Sequence, residues 1–259
     1  MNAKIGVSYS VWDGEELLEA SINSIRICVD YVNVVWQKES WFGEPCSEML
    51  EELLMDLKEK GLINELILFE PNLRTASNAN ETKKRNIGLT AAKKANCTHF
   101  MTLDTDEFFR SDEFELAKQF ILKHDITHSA CNQLMYLTPT CRMSDPAGFF
   151  APFLYKITKD EKLVQGCYKN SPWLIDPTKQ IPIKKNSKIC FMHNVAMHHY
   201  DKVRKDLPKK YRNSAARLEE KQQEEILNLL SPELIQKGLD DEHYIKTENY
   251  FNIKVIKAT

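Results

Sequence analysis

HFMTLDTDEFF, residues 99–109, is an apolar run that ends in two acids, Asp104 and Asp106, before Phe108 and Phe109 resume it. Phe100 to Leu103 suits a short buried strand, and an Asp-x-Asp where that strand runs out places two carboxylates on one rim of a sheet. Oxygen ligands suit Mg²⁺ or Mn²⁺, and a cation presented at a strand end neutralises the phosphates of a bound nucleotide. An isolated Asp-x-Asp is also an ordinary solvated turn, so its surroundings decide its meaning.

Upstream, the apolar period switches repeatedly between strand-like and helix-like. Ile5 to Val11 predicts a strand, Glu15 to Val29 a helix with Leu18, Ile22, Ile25 and Val29 as its buried stripe, and Val32 to Gln37 a second strand. A helix from Ser47 to Lys60 is closed by Gly61 at C′, Leu66 to Phe69 makes a third strand, and a helix from Thr82 to Lys94 precedes the acidic strand. Asp112 with Glu115 then reads as a capping box for a helix through Lys123. The alternation argues for an α/β fold, an open, mainly parallel sheet flanked by helices, with ligands bound beyond the carboxyl ends of its strands. That rim carries Ser8 to Trp12, Gln37 and Asp104 to Asp106.

Beyond residue 126 the pattern loosens into a strand through Tyr136 and a proline-punctuated, loop-rich region, the kind of segment that carries binding residues. Ser214 to Gly238 reads as helical, with Leu218, Ile226, Leu229 and Leu230 available for docking. The expected organisation is a catalytic domain over residues 1–213 with a C-terminal helical extension, residues 214–259, packed on it.

The formal net charge of −2 provides no basic field of the kind that makes nucleic acid a main partner. No signal-peptide region and no membrane-spanning apolar stretch is found, so a cytoplasmic protein is expected. The seven cysteines form no C-x-x-C pair and no zinc spacing, and reduced thiols are the default. Neither G-x-G-x-x-G nor G-x-x-x-x-G-K-[ST] occurs, which argues against dinucleotide and P-loop enzymes. A nucleoside diphosphate would have to be met by a metal and basic side chains.

Four stretches in this order resemble GT-A-fold glycosyltransferases of the family 2 kind: IGVSYSVWDG (5–14), KRNIGL (84–89), LDTD (103–106) and MHHY (197–200) followed by VRK (203–205). The resemblance covers residues 1 to about 213. It implies a Rossmann-like GT-A domain that moves a sugar from a nucleotide-sugar donor, UDP-sugar favoured, to a glycan, lipid-linked or other hydroxyl acceptor, with inversion favoured. Polysaccharide biosynthesis is the expected setting. Asp106 matches the acid that binds Mn²⁺ or Mg²⁺ directly, and Asp104 the acid that contacts ribose or a metal-bound water. Tyr9, with its neighbours Ser8 and Ser10, matches the first-strand edge that packs on base and ribose. Arg85 and Asn86 match the pair before the acidic strand, with Arg85 reaching the base or the phosphates. Where the family often has Asp-Asp or Asp-Gly-Ser after the second strand, this chain has VWQ (35–37), which leaves the Gln37 amide to meet the base.

An imidazole from a late strand would complete a Mn²⁺ site with Asp106 and two diphosphate oxygens. Neighbouring residues of a strand point to opposite faces, so one of His198 and His199 qualifies; the pattern leaves both open, with His199 preferred. Arg204 and Lys205 would add the charge that a departing diphosphate needs. For the base that deprotonates the acceptor, Asp176 in PWLIDP (172–177) comes first, beside an aromatic suited to stacking on sugar, and Asp145 second. Two other classes stay open. A haloacid-dehalogenase-type phosphohydrolase also uses D-x-D, although here Glu107 follows the motif and three predicted strands precede it. A nucleotide-binding or interaction domain without activity is the other. The basic run from Lys202 to Arg217 is suited to peripheral association with an anionic membrane that carries a lipid-linked acceptor.

Overall fold

Ile5, Val7, Tyr9 and Val11 are fully or almost fully buried along β1 (Ile5–Val11), an inner strand covered on both faces. In the computed structural model, which describes residues 3–145, 150–166, 171–215 and 217–254, this strand lies between β2 (Tyr31–Trp36) and β4 (His99–Asp104). β3 (Glu65–Leu68) completes a parallel set in the order β3-β2-β1-β4. Strands buried on both faces read as continuous apolar runs, which is why Tyr31–Trp36 and His99–Leu103 were legible without alternation. Helices α1 (Glu15–Ile25), α2 (Leu50–Glu59) and α3 (Ser77–Lys94) connect them, and Leu18, Ile22, Ile25, Leu50, Leu54 and Leu57 supply their share of the main core.

The α3 helix starts five residues before the predicted Thr82 because Ser77 to Glu81 carries no apolar period. It is polar where it faces the site and small where it crosses β1. A Cβ on Gly88 would run into the side chain of Ser8, so the absence of one lets helix and strand approach closely.

The second half turns the sheet mixed. β8 (Phe150–Lys156) runs antiparallel to β4, and β6 (His128–Thr138) pairs antiparallel with β8 and parallel with β9 (Ile189–His199). The two-residue β5 (Glu107–Phe108), just after the acidic turn, pairs antiparallel with the end of β9. The helix α4 (Ser111–His124) forms, but without the capping box read at Asp112: Arg110 is its N-cap residue, no side chain caps it, and Asp112 instead accepts the Arg110 guanidinium at 3.3 Å.

The single helix read over 214–238 is two, α6 (Glu220–Leu229) and α7 (Pro232–Asp240), following a short α5 (Leu207–Asn213). Ser231 caps the second through Leu234 N, and Pro232 sits where a missing N–H costs nothing. The chain then returns to the sheet. β10 (Tyr244–Lys246) pairs with β7 (Cys141–Met143), and Phe251 and Ile253 pack on Phe108 and Tyr200. Pro146 and Cys167 lie outside the described residues. Among the described residues no helix is long and apolar enough to cross a membrane.

Candidate active site

The carboxyl ends of β1 and β4, the β5–β9 pair, the amino-terminal part of α3 and the α5 segment enclose a cavity of about 530 Å³. Asp104, as the last residue of β4, and Asp106, in the turn before β5, both face it. The predicted rim is therefore where the cavity opens.

Strand register decides the histidines. β5 sets Glu107 opposite His199 and Phe108 opposite His198, so His199 enters the cavity wall and His198 the opposite, aromatic side. There His198 Nδ1 meets the Tyr136 hydroxyl at 2.8 Å, and burial pushes its pKa down to about 4. His199 Nε2 lies 3.6 Å from Asp106 Oδ1, while its Nδ1 meets Gln133 Nε2 at 2.8 Å. Burial would lower the pKa of His199, but Asp106 more than reverses this and holds it raised.

The other oxygen of Asp106 accepts from Arg204 Nη1 at 2.8 Å and Lys210 Nζ at 2.7 Å. Burial would raise its pKa; Lys210, then His199 and Arg204, outweigh it and keep the carboxyl well below the usual range. Arg204 also reaches Asp13 at 2.8 Å. Its guanidinium lies against Gly14, whose φ of +78° and lack of a Cβ both suit that position.

Asp104 belongs to a second charge cluster. Arg85 Nη2 is 3.0 Å from both of its oxygens, and Lys179 Nζ is 2.8 Å from Oδ2 and also pairs with Glu107. Here too burial is outweighed, by Arg85 and then Lys179, and the pKa falls below the ordinary carboxylate range. Glu81, one helical turn before Arg85, takes the same guanidinium nitrogen at 2.5 Å. Lys84 contributes its ammonium to the wall, donating to Val11 O at 2.8 Å; burial, then Arg85, lowers its pKa to about 7.

The predicted residues thus separate. Asp104, Asp106, His199, Arg204 and Asp176 line the cavity. Ser8 is buried against Asn33, Tyr9 is buried with its hydroxyl on Ser21, and Gln37 is buried with its amide on Glu39 O, so Ser10 is the one of this group at the wall. Arg85 sits behind the wall as a bridge between carboxylates, and Asn86 clamps Leu163 through both backbone groups. Lys205 is exposed, with its N–H on Glu16, and Asp145 is exposed beyond β7. Trp12 and Trp41 line the cavity, whereas Trp173 packs on Phe191.

Sequence reading missed Asp13, Glu81, Lys179 and Lys210. Glu81 had a usable signal, its i,i+4 spacing to Arg85. Lys210 falls in the basic run Lys202 to Arg217, of which Arg204 and Lys210 turn into the cavity onto Asp106 while Lys205, Arg212 and Arg217 stay exposed.

Two donor sets bear on a metal. Asp106 Oδ1 and His199 Nε2 have a spacing close to that of adjacent ligands in an octahedral shell, about 3 Å for bonds of ~2.1 Å. With the Gln133 amide turned so that its oxygen accepts from Nδ1, Nε2 offers a lone pair toward Asp106; in the other rotation it donates a proton there. The pair fits a divalent cation that keeps positions for phosphate oxygens and water. Glu81, Asp104 and Asp176 bring one oxygen each within 4.8 Å of one another, but the Arg85 guanidinium already bonds to two of the three.

A parallel set in this order, a mixed half, and an acidic pair where β4 ends make this an α/β fold of GT-A-like arrangement. No protein-family model matches the sequence, and no curated protein matches it. Among solved structures, the chain is similar to S. aureus TarS, with 14% identity and a TM-score of 0.47 over 91% of this chain and 43% of that one. It is also similar to TarS 1-349 in complex with UDP, with 15% identity and a TM-score of 0.43 over 92% and 72%. A third is glucosyl-3-phosphoglycerate synthase from Mycobacterium tuberculosis in complex with Mn²⁺, UDP and phosphoglyceric acid, with 13% identity and a TM-score of 0.36 over 52% and 44%. The chain spans less than half the length of the full TarS chain, and likeness at this level says nothing about chemistry.

Proposed function

We propose that this protein transfers a sugar from a nucleoside-diphosphate donor to a hydroxyl acceptor, with inversion at the anomeric carbon and a UDP-sugar as the favoured donor. The observation that carries the reading is the cavity at the end of β4, where Asp104, Asp106, His199, Arg204 and Lys210 converge beside Trp12 and Trp41. Asp106 and His199 would hold Mn²⁺ or Mg²⁺, which when bound would neutralise the diphosphate. Arg204 and Lys210, fixed by ion pairs before any substrate arrives, stabilise the charge that grows on the leaving diphosphate without reorganising. Trp12 and Trp41 offer flat apolar faces to a base or a sugar ring. Asp176, on the same wall, takes the proton of the acceptor hydroxyl. A glycan or lipid-linked acceptor suits an open cavity that meets the surface.

The test is a panel of nucleotide sugars carrying UDP, GDP, CMP and dTDP, incubated with Mn²⁺ and mixed glycoside acceptors, with release of free nucleotide followed by mass spectrometry. Release from one nucleotide class, lost in Asp106→Asn, is the expected result. Release of inorganic phosphate instead would identify a phosphohydrolase and overturn the reading.

A further inference from the structure

The loop that brings Asp176 to the cavity is irregular yet buried: Ile175, Thr178, Lys179, Gln180 and Ile181 are each no more than 4% exposed. Proline-punctuated sequence of this kind normally lies on the surface, where water satisfies its backbone. Here the protein does so instead. The Tyr155 hydroxyl donates to Lys179 O at 3.1 Å, Val164 N donates to Gln180 O at 2.9 Å, and Phe150 N donates to Leu174 O at 2.8 Å.

Within this frame Asp176 is held through one oxygen only. Its Oδ1 accepts from the backbone N–H and from the hydroxyl of Thr178, both at 2.7 Å, whereas Oδ2 accepts no hydrogen bond from the described residues. The Thr178 hydroxyl, having donated its one proton to Asp176, accepts from Arg85 Nε at 3.2 Å. Arg85 in turn donates through Nη2 to both oxygens of Asp104. One continuous set of bonds therefore runs from Asp176 through Thr178 and Arg85 to the first acid of the D-x-D.

We infer that Thr178 is a positioning residue for the transfer: it fixes Asp176 so that Oδ2 alone faces the acceptor, and it ties that orientation to the donor-side acid through Arg85. This rests on the reading of Asp176 as the base. In the step it serves, the acceptor O–H gives its proton to Asp176 Oδ2, and the acceptor oxygen pair forms the new bond to the anomeric carbon. The bond from that carbon to the diphosphate oxygen breaks, and its electron pair leaves with the diphosphate. A base free to rotate would present either oxygen at varying distance, and proton transfer falls off steeply outside hydrogen-bond reach.

Thr178→Val removes the hydroxyl at nearly constant volume, and Thr178→Ser keeps it. With the donor and acceptor found by the nucleotide-sugar panel, Thr178→Val is expected to lose kcat by about 10- to 100-fold, the range usual for supporting hydrogen bonds. Its donor KM and its UDP affinity stay within about twofold, and Thr178→Ser stays within about threefold of wild type in kcat. Thr178→Ala replaces the valine variant should that one not fold, as judged by its melting transition. The inference is overturned if Thr178→Val keeps its kcat while Asp176→Asn loses it, if serine is as poor as valine, or if kcat and UDP affinity fall together. An active Asp176→Asn removes the base assignment and the inference with it, but leaves the transferase reading standing. A wild type inactive on every donor removes all three.

Discussion

At the scale of single residues, the adjacent His198 and His199 have opposite chemical lives, and the difference is a matter of strand register. The two-residue period of a strand showed that only one could face the acids, but nothing in MHHY says which. The pairing of β5 with β9 settles it by setting His199 against Glu107. His199→Ala is expected to weaken Mn²⁺-dependent nucleotide binding at least tenfold in calorimetry, whereas His198→Gln leaves it unchanged. His198 matters for stability instead. Its pKa of about 4 in the fold lies below the ordinary value of 6.5, so as pH falls through that window the unfolded chain takes up a proton that the native state refuses. Stability from this group is complete above pH 6.5 and is lost toward pH 4, about 2 kcal/mol of it by pH 5. His99, also lowered to about 4 by burial, acts in the same direction, while the raised pKa of His199 acts in the opposite one. Urea unfolding of His198→Gln at pH 7 and pH 5 is therefore expected to show a loss smaller than wild type by about 2 kcal/mol. Equal losses would show that the ring is not held neutral.

At the scale of elements, α3 joins the fold to the site. Its turns from Thr82 onward gave a helical period, but Ser77 to Glu81 did not, because Asn80 and Glu81, like Lys84 and Arg85 one turn on, serve polar neighbours rather than a core. The same demand explains why Arg85 was legible as functional and yet misread: the residue type and place were right, but its guanidinium is taken up by Glu81, Asp104 and Thr178. The helix can serve both roles only while it lies close to β1, which Gly88 permits. Gly88→Ala is expected to cost about 1–3 kcal/mol, since the new methyl meets Ser8 and the Asn33 amide oxygen in a filled space. Denaturant unfolding checks it, and a neutral or stabilising result would mean that the helix can shift without loss.

At the scale of the whole molecule, the parallel half was readable because its inner strands are dominated by apolar residues and α1 and α2 each carry an apolar stripe. In the mixed half β6 was readable through Tyr136, but β5, β7 and β10 were not, since they are only two or three residues long and owe their existence to partners far away in sequence. The last described residues show what those partnerships do. The Phe251 ring lies 4.9 Å from that of Phe108 and 5.2 Å from His198, so the end of the chain backs the strand pair that aims His199. Phe251→Ala, at a half-buried ring, is expected to destabilise the protein by about 1–2 kcal/mol and to weaken metal-dependent binding in proportion to the loosening of that pair. A melting temperature equal to wild type would show that the tail is dispensable to the site.

The most direct test of the central claim, that the end of β4 is a nucleoside-diphosphate site, is a calorimetric titration of UDP into wild type, Asp106→Asn and His198→Gln, each with and without Mn²⁺. Saturable binding that Mn²⁺ strengthens in wild type and His198→Gln, and that Asp106→Asn abolishes, is the expected result. Binding of UDP indifferent to both Mn²⁺ and Asp106, or no binding by the folded wild type under either condition, would contradict it.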